Sequence, residues 1–373
     1  MEKITVLQFI CSTGFYGAER WILALAHNNQ HAHIEHQLVV SQEPGMEELE
    51  LSKHFKSLGG KVHTLSLKHK FDFSAISQLS DIIRHESVDA IHTHGYKSDI
   101  LGVIAAKKMG ITSVCTPHGF ENADDFKLRS FIWLGCQSMR FFDAVAPLSQ
   151  QLCKDVAQYG VKSSKIHYIQ NGVDLKEIDG IKKQAETNKT KQRIGFIGQM
   201  ISRKNIHHIL DIFNRLAEKR GNLELVLLGD GDQRQELEAY SKTLSQQHNI
   251  HFLGFRDDRL EQLRGFDLFV MTSTLEGIPR CLMEAMAMEI PVAAYNIAGI
   301  DQLIQHEHSG LLAPLNDQQQ LETYWEQLLD NSAQAKELGS NARQYILEHF
   351  SAQRMADEYA TLFSQLQTIK KAK

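Results

Sequence analysis

The chain has 373 residues, of which 42% are hydrophobic and 23% are charged. At roughly 150 residues per domain this is the length of two domains with ordinary cores, which excludes a disordered, collagen-like or disulfide-scaffold protein. Lys and Arg total 40 and Asp and Glu 45, a formal charge of −5. That balance excludes a protein that coats nucleic acid over its whole surface and leaves room for a local basic site.

No run nears the roughly 18 apolar residues of a membrane span. The apolar run at 4–10 is too short for a signal peptide, so a cytoplasmic location is expected. Cys11, Cys115, Cys136, Cys153 and Cys281 are an odd set with no Cys-x-x-Cys pair and read as reduced thiols.

Short β-rich runs alternate with amphipathic stretches along almost the whole chain. Residues 4–10, 37–41, 61–65, 90–93, 113–116 and 143–146 read as strands, with helices over 19–28, 46–58 and 75–86 among them. Such alternation implies right-handed βαβ units and a parallel sheet. It pauses over the polar stretch LKEIDGIKKQAETNKTKQ, 175–192, which reads as a linker or an exposed helix. It restarts with strands at 193–197, 223–228, 251–253, 268–271 and 291–295 and helices at 205–219, 234–247 and 280–288. From 331 onward the pattern reads as helix throughout. Two α/β halves joined near residue 180 are therefore expected. Ligands of doubly wound sheets sit beyond the carboxyl ends of the strands, so two facing halves would hold one reactant each.

Several side chains fall at those strand ends. Gly14 and Gly17 make either a tight turn or a place where backbone amides approach a phosphate. His92 and His94 alternate on a strand and face one side, as the wall of a polar cleft or as two metal ligands. His118, beside Gly119, either caps its loop or points into a cleft as a hydrogen-bonding or acid–base group. Gly198 opens a turn, and Arg203 and Lys204 then stand ahead of an amphipathic helix, either solvated or paired with a diphosphate. Gly229 and Gly231 mark another sharp turn. The run TSTLEGIPRCLMEAMAMEIPVAA holds Glu276 and Glu284 with seven residues between them, with Gly277, Ile278 and Pro279 ahead of a helix beginning near Arg280. Amides at that helix start would face a diphosphate. Glu284 could then accept two hydrogen bonds from a ribose diol, and Glu276 touch the group attached to the phosphate.

On these residues the sequence resembles a retaining glycosyltransferase of family 4 with the GT-B fold, over nearly the whole chain. The resemblance rests on the glycine loop 14–19, His118-Gly119, Asn171-Gly172-Val173-Asp174, Gly198 through Lys204, Gly229-Asp230-Gly231 and Glu276 through Glu284. It implies an α/β protein of two Rossmann-like doubly wound domains facing across a cleft. Residues 1–175 would bind acceptor, 176–192 link the halves, and 193–354 bind the nucleotide-sugar donor, with a helix at about 355–373 crossing back. The resemblance also assigns roles. Lys204 would bind the donor diphosphate, Glu284 the ribose, and Glu276 the sugar or the β-phosphate. His118 would hydrogen-bond the donor sugar, Gly17 would let the N-terminal loop close over the phosphates, and the base would rest near Gly254 and Phe255. Gly198, Arg203, Gly277, Ile278, Pro279 and Arg280 complete the donor set, and His118, Glu276 and Lys204 form the catalytic group. The family pattern places Gly-Arg before the Lys and Gly after it. Here Gln199 follows Gly198 and Asn205 follows Lys204, leaving Arg203 or Arg280 to replace the missing cation. No Asp-x-Asp motif stands where a metal-dependent fold would need one, in keeping with an enzyme that uses neither metal nor cofactor.

The implied reaction moves a sugar from a nucleotide-diphosphate sugar, expected to be UDP-linked, to a glycan or lipid-linked acceptor in cell-surface polysaccharide or lipopolysaccharide synthesis. His94, Tyr96 and Lys97 would line the acceptor pocket, and no nucleic-acid partner is implied. Segment 127–142 mixes basic and aromatic residues and reads as a packed helix or as a peripheral contact with the inner membrane. The alternatives are a sugar-nucleotide 2-epimerase of the same fold and a non-catalytic nucleotide-sugar binding protein.

Overall fold

The computed structural model describes residues 2–12, 14–15, 17–42, 47–67, 72, 74–120, 126–181 and 190–372, without the side chains of 126–128. The chain divides into two units, one of Met1–Gly172 with Ala352–Lys373 and one of Val173–Ser351.

The first unit runs β1 (Ile4–Ile10), α1 (Gly17–Asn28), β2 (Ile34–Gln42), α2 (Glu50–Ser57), β3 (Val62–Ser66), α3 (Ser74–His85), β4 (Ala90–His94), α4 (Tyr96–Met109), β5 (Thr112–Cys115), α5 (Phe126–Ser138), β6 (Ala144–Val145) and α6 (Gln150–Gln158). The second runs α7 (Leu175–Gly180), β7 (Gln192–Ile197), α8 (Ile206–Lys219), β8 (Leu223–Leu228), α9 (Arg234–Ser241), β9 (Ile250–Gly254), α10 (Arg259–Arg264), β10 (Leu268–Met271), α11 (Arg280–Ala287), β11 (Val292–Tyr295), β12 (Leu311–Ala313), α12 (Gln318–Asp330) and α13 (Ser332–His349). The chain then returns to the first unit with α14 (Ala352–Lys371), which packs on α1.

Each unit holds one six-stranded parallel sheet, ordered β3-β2-β1-β4-β5-β6 in the first and β12-β11-β10-β7-β8-β9 in the second. The second order is the first read from the other edge, so both units are doubly wound in the same way. All seven residues of β1 are buried, as expected of a strand covered by helices on both faces. α8 shows how such a cover forms. Ile206, Ile209, Leu210, Phe213, Leu216 and Ala217 recur at helical spacing and are all buried. Each of the larger ones contributes about 2 kcal/mol by leaving water. In each sheet the winding direction reverses between two neighbouring strands, β1 and β4 in the first, β7 and β10 in the second. Helices on either side leave the sheet face there, opening a crevice at the strands' carboxyl ends. That geometry points to the residues after Ile10, His94, Ile197 and Met271.

Three elements differ from the sequence expectation. β12 was not expected; at three residues it is too short to show alternation. α9 stops at Ser241 instead of running to 247, because hydroxyls there bond local carbonyls: Ser241 Oγ to Glu238 O at 2.9 Å and Thr243 Oγ1 to Tyr240 O at 2.7 Å. The expected continuous helix from 331 is two helices, α13 and α14, parted at Phe350, whose carbonyl accepts from Val173 N at 2.8 Å. The expected linker 176–192 begins as helix α7 and ends as the first residue of β7, and its residues 182–189 lie outside the described residues. Met46, at the start of the expected helix 46–58, also lies outside them.

Candidate functional site

The loops after β7 and β10 meet in the second unit. Asp174 starts the chain into this unit by capping α7, its carboxylate accepting from the amides of Lys176 and Glu177. After β7 a short turn, Ser202–Lys204, leads into α8 through Asn205, which sits at φ 52° and ψ 45°. The family pattern places glycine there. Asparagine is among the few other residues that tolerate this left-handed conformation, so the departure at 205 leaves the turn intact. Thr272 Oγ1, from the end of β10, lies 3.1 Å from Lys204 O and 2.9 Å from Asn205 O, and Thr274 N donates to Arg203 O at 2.8 Å. These bonds tie the turn to the segment that carries Glu276.

Lys204 Nζ and Arg203 Nη1 both pair with the Glu276 carboxylate, the arginine at 3.1 Å. The Lys204 and Glu276 side chains are 8% and 6% exposed, whereas Arg203 is 41% exposed. Two cations meet one carboxylate, so the cluster carries a formal charge of 2 − 1 = +1. A half-sheltered surplus cation at a strand end is a site for an anion. Glu284, one turn into α11, receives Arg259 Nη2 and Arg280 Nε, each 2.8 Å from the same oxygen. Both arginines also approach Glu177, at 3.7 and 3.6 Å. Arg280 therefore belongs to the Glu284 group, and Arg203 is the cation that stands with Lys204.

The remaining residues expected on the donor side occupy the surrounding turns. Gly198 N bonds Leu228 O at 3.0 Å and Gly229 N bonds Gly254 O at 2.8 Å, stitching the ends of β7, β8 and β9 together. A Cβ on Gly229 would lie 1.9 Å from Gly198 O, so this glycine is required by backbone packing. Phe255 follows Gly254 and is 52% exposed. Pro279 caps α11, Ile278 is partly buried, and a Cβ on Gly277 would meet nothing within 4 Å. The peptide after β11 closes the other side: a Cβ on Gly299 would fall 1.7 Å from Gly277 O.

In the first unit the ends of β1, β4 and β5 build a histidine cluster in which His92 and His94 are buried and His36 and His118 partly buried. His94 Nδ1 is 3.1 Å from His118 Nε2, and His94 Nε2 is 2.8 Å from Gln8 Oε1. Gln8 Nε2 in turn lies 3.0 Å from His36 Nδ1. His92 Nε2 meets Thr116 Oγ1 at 2.8 Å, and that hydroxyl meets the Tyr359 hydroxyl of α14 at 2.7 Å. The Trp21 ring packs against His92, His94, His118 and Tyr359. Burial pushes His36 and His118 down to about 4 and His92 and His94 well below the usual imidazole range. It raises the Asp99 carboxyl to about 7, with Thr93 Oγ1 donating to it at 2.6 Å.

His94, expected to line an acceptor pocket, is 3% exposed with both ring nitrogens engaged, so it stands behind His118. Nor are His92 and His94 set out as a metal pair: both nitrogens of His94 and Nε2 of His92 are taken by neighbouring side chains, which leaves only His92 Nδ1, and no group of three metal-ligating side chains stands among the described residues. Tyr96 is partly buried with its hydroxyl 3.3 Å from Gly119 O, and Lys97 is partly buried at the start of α4. Gly17 opens α1, exposed, and a Cβ there would meet nothing within 4 Å. Beside it, Ser12 Oγ lies 2.6 Å from both Glu19 Oε1 and Gly14 O. Thr13 and Tyr16 of that loop lie outside the described residues.

Two family models tile the chain: Glycosyltransferase Family 4 matches residues 15–177 and Glycosyl transferases group 1 matches 177–345. The chain belongs to the family 4 glycosyltransferases. Over 304 residues this glycosyltransferase is 23% identical to N-acetyl-alpha-D-glucosaminyl L-malate synthase of Bacillus anthracis, spanning 79% of each chain. It is 28% identical over 264 residues to UDP-Gal:alpha-D-GlcNAc-diphosphoundecaprenol alpha-1,3-galactosyltransferase of Escherichia coli, 66% of this chain and 67% of that one. Among solved structures, Anabaena Alr3699/HepE in complex with UDP and glucose has the same fold, with a TM-score of 0.79 at 20% identity over 97% of this chain and 99% of that one.

Sequence reasoning about the glycosyltransferase missed Gln8, Arg259, Thr272, Gly299 and Tyr359. None stands in a motif, and each meets its partner through the fold. The histidine cluster also carries a pH dependence. Between about pH 6.5 and 4 the unfolded chain binds protons at four histidines that the native cluster refuses, which destabilises the fold as pH falls. Asp99 works in the opposite sense, binding one proton in the native state below about pH 7 that the unfolded chain does not take. Four outweigh one. The melting temperature of the first unit is therefore expected to fall from pH 7 to pH 5, and a flat profile across that interval would contradict the buried, neutral cluster.

Proposed function

We propose that this glycosyltransferase transfers a sugar from a UDP-linked donor, with retention at the anomeric carbon and without a metal, to a glycan or lipid-linked acceptor of cell-surface polysaccharide or lipopolysaccharide synthesis. The observation that carries the reading is the surplus positive charge of Lys204 and Arg203 on Glu276, beside the start of α11. The leaving diphosphate gains negative charge as the glycosidic bond breaks. A fixed cation and unpaired helix amides stabilise that charge without reorganising, and one such donor is typically worth about 3 kcal/mol.

In this reading Lys204 and Arg203 hold the diphosphate and Glu284, oriented by Arg259 and Arg280, takes the ribose diol. Phe255 offers a face to the base, Glu276 and His118 contact the sugar, and Gly17 admits the phosphates close to its backbone. Glu276 is already tied to two cations and is poorly placed as a nucleophile for double displacement. A front-side route fits better: the bond from the anomeric carbon to the phosphate oxygen breaks, the acceptor oxygen bonds the same face, and its proton passes to the leaving phosphate.

The choice of UDP is supported by the Escherichia coli relative, named for a UDP-Gal donor and a diphosphoundecaprenol acceptor, and by the UDP complex of Alr3699/HepE. Relatives named for lipopolysaccharide core and capsular polysaccharide biosynthesis support the acceptor class. Within α5 and the turn after it, Ile132, Cys136, Met139 and Phe142 are buried while Trp133, Leu134 and Phe141 are more than 45% exposed. We assign that apolar face to peripheral contact with the membrane that carries a lipid-linked acceptor. No helix among the described residues is long and apolar enough to cross a membrane.

The test is incubation with UDP-sugars, alone and with a panel of glycan and undecaprenyl-diphosphate acceptors, followed by mass and anomeric NMR analysis. An α-linked product from an α-donor is the expected result. A sugar altered without acceptor would indicate the epimerase, and UDP-sugar binding without turnover would indicate a binding protein.

A further inference from the structure

His118 is the end of a hydrogen-bonded chain that reaches back through the first unit from β5 to β2. Gln8 Nε2 can only donate, so His36 Nδ1, 3.0 Å away, is an acceptor. Gln8 Oε1 can only accept, so the proton of His94 sits on Nε2, 2.8 Å away. His94 is buried and neutral, so it has one ring proton and its Nδ1 is bare. The 3.1 Å contact with His118 then requires His118 Nε2 to donate. His118 is itself neutral at pH 7, so its own Nδ1 carries the free lone pair. Among the described residues no group hydrogen-bonds that nitrogen.

We propose that Gln8 and His94 are positioning residues that lock His118 as the Nε2–H tautomer, so that His118 meets the donor sugar as a hydrogen-bond acceptor, through Nδ1, and not as a donor. The inference rests on the reading above in which His118 contacts that sugar. It follows that an O–H or N–H group of the donor sugar, and not a ring oxygen or an ether, is the partner of His118, because only a group that carries a proton can donate to the bare nitrogen. The surrounding groups keep the chain in register. Trp21 from α1 lies with its ring centre 5.2 Å from that of His94 and 5.4 Å from that of His118. His36 comes from β2, and His92 is held apart by Thr116 and Tyr359. Among the described residues no carboxylate bonds any ring of the chain from Gln8 to His118, so nothing within it favours a charged imidazolium.

Nitrogen-15 correlation spectra of the imidazoles in the full-length protein test the lock directly, with no substrate needed. At pH 7 the wild type should show His118 as a single Nε2–H tautomer. His94→Phe and Gln8→Met should give a mixture of tautomers at His118, and His94→Asn, which restores an acceptor near the lost Nδ1, should recover most of the single form. A wild-type proton on His118 Nδ1, or a tautomer unmoved by both substitutions, overturns the proposal. With a UDP-sugar as substrate, His94→Phe should lower kcat by about 10-fold and leave the donor KM within about two-fold. In a His118→Ala background it should cost nothing further, whereas an additive loss would mean that His94 acts only on folding. If no UDP-sugar is turned over by any variant, the spectra still decide the lock, and the failure belongs to the functional reading.

Discussion

Replacing Lys204 with alanine is expected to lower kcat/KM by about 10²- to 10³-fold, the loss that follows removal of one preorganised charge donor from a developing anion. The argument is a count of charges. Lys204 and Arg203 against Glu276 leave +1, and without Lys204 the remaining pair sums to zero. The anion then loses both its nearest cation and the surplus that attracts it. Glu276 keeps Arg203 at 3.1 Å, so the carboxylate is not stranded and the fold should survive with a melting temperature a few degrees lower, roughly what 1–2 kcal/mol costs a unit of this size. Lys204→Arg should not rescue, because the lysine slot is 8% exposed and a guanidinium is wider. Activity within a factor of three of wild type, in protein of normal melting behaviour, would place the diphosphate elsewhere.

Gly299→Ala should be the most damaging small substitution near the site. Its φ is +93°, where a side chain costs about 1–2 kcal/mol. Its new Cβ would fall 1.7 Å from Gly277 O and 2.8 Å from Glu276 O, a clash with backbone that no rotamer relieves. The loop carrying Glu276 must move, or the peptide after β11 must. We expect a loss of about 3 kcal/mol, seen as a melting shift of roughly 6–12 °C. Donor affinity measured by calorimetry should weaken by at least about tenfold, because Glu276 positions both cations. Gly277→Ala is the control: its Cβ meets nothing, so its melting temperature should match wild type. Equal stability of the two variants would mean that the loop is not braced by Gly299.

The parallel sheets were legible because buried strands read as apolar runs and their covering helices keep a helical period. Leu223–Leu228 and Leu268–Met271 were placed to the residue. β12 escaped because three residues carry no period. The same contrast holds at the site. Glu276, Glu284 and Lys204 stand out because motif spacing survives in one dimension. Thr272, which holds the Lys204 turn, is 68 residues from it, and Gln8 is 86 residues from His94. Partners that distant are set by which strands neighbour each other at the winding reversal, and no local pattern reports that. The choice between Arg203 and Arg280 was open for the same reason. Both stand near the motif in sequence, and only side-chain direction separates the Glu276 pair from the Glu284 pair.

The return of α14 to the first unit makes that unit discontinuous, with the whole of the second unit inserted between its two parts. On the ribosome, β1 through α6 emerge and then wait while the insert is translated, a delay on the order of ten seconds or more. During that interval the nascent sheet lacks the helix that supplies Met355, Tyr359 and Phe363 to its core. Thr116 has no Tyr359 hydroxyl to meet, and Trp21 and His92 stand without their cover. The histidine cluster therefore gains its cover only after the insert has been made, and a ribosome stalled before α14 would hold a finished second unit and an unfinished first one.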